Sequence, residues 1–124
     1  MTIPKRVLTI GFDPTLVDFT NIPGLDAAKV SAAIKAEMQR LIDLGYAPHA
    51  CMIDLGETAE AVVSEQLAKT KFDCVLIGAG VRNIPAHFLL FERLINIVHS
   101  QAPDAKICFN TNPGDTVEAI QRWI

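Results

Sequence analysis

Two titratable side chains stand where apolar runs of this chain give way to turns: Asp13 closes one run, and His87 opens a helical pattern after another. A carboxylate and an imidazole facing one pocket can take and return a proton on a small substrate, so Asp13 and His87 are the candidate acid and base. A histidine in the first turn of a helix also serves as a solvated or capping neighbour, and that reading stands beside the catalytic one.

A second set suits binding. The run Cys74-Val75-Leu76-Ile77 empties into Gly78-Ala79-Gly80-Val81-Arg82-Asn83. Gly78 and Gly80 would let backbone amides approach a ligand and can take positive φ, and Arg82 offers a planar fork of donors for a carboxylate or phosphate. With Asn83, and with Thr15 and Asn110 on neighbouring turns, these residues imply a small anionic ligand. The alternative is that the glycines allow a tight turn and Arg82 pairs with a surface acid. No His, Cys, Asp and Glu cluster has metal-ligand spacing, so no metal is expected, and the sequence names no cofactor.

The elements that must position these residues repeat as strand then helix, four times over. The first strand spans residues 6–12, and its helix starts at the N-cap Asp26, carries Val30, Ile34, Met38 and Leu41 on one face, and ends at Gly45. The second strand is placed at residues 49–55, with a helix from Thr58 to about Lys69. The third is the apolar run itself, continuous enough to be buried on both faces of a parallel sheet. Residues 87–101 form the next helix, whose apolar positions wrap more than one face, and this width points to a homo-oligomer contact through Phe88, Phe91 and Ile95. The fourth strand covers residues 105–110, and Asn112-Pro113 caps the last helix.

Right-handed crossovers then favour a three-layer α/β/α sandwich, a single domain over residues 1–124 with a four-stranded parallel sheet in the order 2-1-3-4. Ligands of such sheets collect at the carboxyl ends flanking the switch point, here the turn after Phe12 and the turn after Ile77. The loop from residue 13 to 24 lies on that rim and is well beyond the usual span of about 2–6 residues. Leu16, Val17, Phe19 and Ile22 make it apolar enough to fold down as a lid, to dock a partner, or to pack over the sheet edge.

Composition bounds the partners. Of 124 residues half are hydrophobic and 20% charged, with net charge −3, so no broad basic surface exists to neutralise nucleic-acid phosphates. No segment reaches the roughly 18 apolar residues of a membrane span, and the N-terminus shows no targeting pattern, so a cytoplasmic protein without a membrane partner is expected. Cys51, Cys74 and Cys108 each fall within a strand, as buried reduced thiols would.

The βα layout resembles flavodoxin-like, receiver and other Rossmann-like domains over nearly the whole chain. A receiver would imply an acidic pair after strand one, a phospho-accepting aspartate after strand three and a later lysine; this chain has Asp13 alone, then Gly78-Ala79-Gly80, then Asn110-Thr111-Asn112. A flavodoxin would imply a hydroxyl-rich phosphate loop where Asp13-Pro14-Thr15-Leu16-Val17 stands. Gly78 to Asn83 looks like a dinucleotide fingerprint with Asn83 in place of its third glycine, after the third strand instead of the first. Residues 75–109 are similar in cadence to SGNH-type esterases, which would give Gly80 and Asn83 an oxyanion role. The nucleophilic serine after strand one and the terminal Asp-x-x-His of those enzymes are absent.

The reading these residues favour is a domain of unassigned role that binds a small anionic ligand at the carboxyl edge of its sheet. The alternatives are a small-molecule enzyme using Asp13 and His87, and a structural, self-associating subunit.

Overall fold

A computed structural model describes residues 3–124. Strand β1, Arg6–Phe12, alternates its side chains so that Leu8, Ile10 and Phe12 enter one apolar cluster and Val7 the other. It pairs in parallel with β2, Ala47–Ile53, on one side and with β3, Cys74–Ile77, on the other; β4, Lys106–Phe109, extends the sheet beyond β3. The order is therefore β2-β1-β3-β4. Every residue of β3 is buried, as a continuous apolar run between two helical layers must be.

Crossovers of one hand sort the helices onto two faces. Helices α2, Ala59–Lys69, α3, Ala79–Asn83, and α4, Phe88–Gln101, close one cluster with Val63, Leu67, Val81, Leu94 and Val98. Helices α1, Ala27–Asp43, and α5, Thr116–Gln121, close the other, where Leu41, Val117 and Ile120 meet Val7, Leu76 and Cys108. The result is the expected three-layer flavodoxin-like sandwich. No helix among the described residues is long and apolar enough to cross a membrane.

Several boundaries differ from expectation, each for a local reason. Strand β2 begins at Ala47 because its amide already bonds Lys5 O at 2.9 Å, and it ends at Ile53 because the Asp54 carboxylate turns back onto the amides of Gly56, Thr58 and Ala59. Asp54 rather than Thr58 thereby satisfies the first turn of α2. The glycine turn folds as the single-turn helix α3, followed by a 3-10 turn at Pro85–His87. Asn112 and Asp115 form a reciprocal capping box around another 3-10 turn, so α5 starts only at Thr116. In α4 the broad apolar stripe is mostly spent inward: Phe91 and Ile95 pack partly buried on the cluster of Leu90 and Leu94, leaving Phe88 and Leu89 as the exposed apolar pair.

The Asp54 cap has a pH signature. Hydrogen bonds from the Thr58 hydroxyl and then from the Gly56 and Thr58 amides hold its carboxyl below the ordinary aspartate value of about 3.9. A depressed folded-state pKa contributes stability that is present above the unfolded value and is lost as pH falls through the folded one. Asp54→Asn should therefore be less stable than the parent at neutral pH, with the gap narrowing as the pH falls below the ordinary aspartate value, in urea titrations from neutral into acid. A gap that stays constant with pH would show that charge at Asp54 plays no part.

Candidate functional site

The face of the sheet under α1 and α5 is filled only at its lower half. Higher up, toward the carboxyl ends of the strands, it opens into a cavity of about 410 Å³. Thr9 and Gly11 of β1, Ala50 and Met52 of β2, and Leu76 at the end of β3 form its floor. One face of α1 forms a wall through Val30, Ile34, Glu37 and Met38, positions spaced to recur on one side of a helix. The 13–24 loop supplies the roof with Pro14, Val17, Phe19 and Ile22, joined by Leu25. Gly78, Gly80 and Asn83 border it from the β3 side, and Asn110, Asn112 and Thr116 from the β4 side. This is the switch point between β1 and β3, where such sheets hold their ligands.

Gly11 matters most to its shape. A Cβ built there meets no atom within 4 Å, so any side chain at this position would project into the open space over β1. The roof is a string of turns. Leu16 N bonds Asp13 O at 3.0 Å, Ile22 N bonds Phe19 O at 3.0 Å, and Gly24 takes φ +81 just before the Asp26 cap. Asp13 N anchors the start of the loop to Ile53 O of β2 at 2.9 Å; beyond it, among the described residues, hydrogen bonds made by residues 14–25 stay inside the loop or reach Asp13 and Lys29.

Polar groups gather at one corner. Asn110, 6% exposed, accepts from Ala79 N at 2.8 Å and donates to Thr116 Oγ1 at 3.0 Å, linking the turn after β3 to the start of α5. Glu37, 4% exposed, accepts from Val117 N at 3.2 Å through Oε1 and pairs with Arg40 at 2.6 Å through Oε2. Arg40 in turn reaches Glu118 at 2.9 Å, so two carboxylates share one guanidinium.

The expected site residues divide between two places. Gly78, Gly80, Asn83 and Asn110 border the cavity, whereas Asp13, Thr15, Arg82 and His87 do not line it. The Asp13 carboxylate accepts from the hydroxyl and the amide of Thr15 at 2.7 and 3.0 Å, and those bonds hold its pKa below the ordinary value. A carboxylate so stabilised is a weaker base and an effective turn cap. The His87 ring lies 4.6 Å from that of Phe12, whose side chain belongs to the opposite cluster. Arg82 donates to Asn110 O at 3.0 Å, with its guanidinium carbon 5.9 Å from the centre of the Phe109 ring. It clamps the end of β4 instead of reaching into the cavity.

Gly78 is also used differently from expectation. Its φ is −68, and positive φ occurs instead at Gly24, Gly45 and Gly56. Its amide bonds Ile10 O at 2.8 Å, and a Cβ would stand 3.3 Å from that same oxygen, so the missing side chain serves contact with β1. Sequence reasoning overlooked Gly11 and Glu37. Both carry a signal: a glycine inside an alternating strand, and an acid within the Val30, Ile34, Met38, Leu41 stripe of α1.

Fold and cavity together define a flavodoxin-like α/β domain with a ligand-sized chamber at the carboxyl edge of its sheet. No protein-family model matches the chain, and no curated protein matches it significantly in sequence.

Proposed function

We propose that the chain is a small-molecule-binding domain whose ligand lies over Gly11, beneath the 13–24 loop, with a mostly apolar body. The observation that carries this reading is the cavity itself: Val17, Phe19, Ile34, Met38 and Met52 face a chamber of about 410 Å³, within the range of small-ligand sites. The anionic ligand expected from Arg82 receives less support, since that guanidinium is engaged with Asn110 O and, among the described residues, no lysine or arginine lines the chamber. The loop, hydrogen-bonded chiefly to itself, is suited to lift as a unit and admit the ligand.

Gly11→Val tests this directly. A valine suits a strand, and its methyl groups enter the open space above β1, so folding should be unchanged or slightly stabilised. Titration with the neutral apolar fluorophore N-phenyl-1-naphthylamine should saturate with the parent. In the variant its affinity should fall about tenfold or more. Absence of saturable binding to the parent, or equal binding by the two proteins, would sink the reading.

A further inference from the structure

Building on that binding reading, we propose that the ligand carries a hydrogen-bond-donating head, best a protonated amine, received by Glu37 at the α1/α5 corner of the cavity. Among the described residues, Glu37 is the only charged one lining the chamber, and it is 4% exposed. A carboxylate offers about four acceptor positions, and here one bond comes from Val117 N and one from Arg40. The staple between α1 and α5 therefore leaves acceptor capacity unused beside the open space. Arg40 does not cancel the charge, because it is shared with Glu118 at 2.9 Å and its side chain is 48% exposed. The triad of Glu37, Arg40 and Glu118 thus keeps one net negative charge against an apolar chamber, where a complementary donor gains most and an anion is repelled.

Asn110 and Thr116 complete the corner. The Asn110 amide uses one donor on Thr116 and one acceptor position on Ala79 N, which leaves it a further N–H and a lone pair for a second polar atom on the same head. Val17, Phe19, Ile34 and Met52 line the chamber with apolar surface, so the ligand joins a polar head to an apolar body.

Three probes of equal length separate the alternatives: hexylammonium, hexanol and hexanoate, titrated calorimetrically at low salt against the intact chain. Hexylammonium should bind about tenfold more tightly than hexanol, and hexanoate weakest. In Glu37→Gln the ratio of amine to alcohol affinity should collapse to about one. Arg40→Gln, at a half-exposed position, should raise that ratio by leaving the carboxylate unshared, and it keeps the test informative if the first variant folds poorly. Hexanoate binding as tightly as hexylammonium, or a ratio unmoved in both variants, overturns the donor-head assignment. Should none of the three bind while N-phenyl-1-naphthylamine still does, the head group alone is wrong. Should the fluorophore also fail, the binding function falls with it.

Discussion

Leu94→Ala is expected to lower the unfolding free energy by about 2–5 kcal/mol. Leu94 is fully buried midway along α4, in the cluster that joins α2 and α4 to the lower face of the sheet. Its truncation removes apolar contacts and leaves a hole bordered by elements that cannot close on it, because the strands behind are fixed by pairing on both sides. The exposed Leu89 on the same helix is the internal comparison: Leu89→Ser should change stability by no more than about 0.5 kcal/mol. Urea unfolding would read both as shifts of the midpoint at constant slope. Equal costs at the two positions would mean that α4 does not seat on the sheet as described.

Asn110→Ala should be nearly as severe, at about 2–4 kcal/mol, and for a different reason. Removing the amide strands the partly buried Ala79 N and strips Thr116 Oγ1 of its donor, and a buried group left without a partner costs about 1–3 kcal/mol. Amide exchange gives a local readout, since Ala79 should lose protection while Leu8 and Val75, within the ladder of β1 and β3, keep theirs. Asn110→Asp retains an acceptor for Ala79 N and lets the Thr116 hydroxyl turn to donate, so it should recover part of the loss. If Asn110→Ala unfolds at the parental midpoint, the side chain does not link α3 to α5.

The fold was legible because its strongest signals are local. The four apolar residues of β3 declared a strand covered on both faces, and α1 was bounded by Asp26, whose carboxylate accepts from Lys29 N at 2.8 Å, and by Gly45 at φ +92. The site was legible in position but not in composition. Gly78, Gly80, Asn83 and Asn110 lie on the expected rim, yet the long side chains were misjudged, since nothing local says which way a flexible guanidinium turns. Arg82 turned to a carbonyl that arrives some 28 residues later, and Asp13 turned to Thr15, its nearest donor. The chamber was hidden for a related reason: it is an absence, lying over Gly11 between Ile10 and Phe12, and it becomes visible only once α1 is seen to cross above that strand.

The division of the interior into two clusters carries a consequence for how the chain acquires its shape during synthesis. The cluster under α2 and α4 draws its buried members from residues no later than Val98, and β4 adds only the partly buried Ile107 and Phe109 at its edge. The cluster under α1 requires Cys108, Val117, Ala119 and Ile120. Until those residues arrive, the apolar stripe of α1 and the floor of the chamber have no cover from α5, and Glu37 has no Val117 amide to hold. The ligand-facing half of the molecule is therefore the last to close, and the half under α2 and α4 is the first whose buried residues are all available.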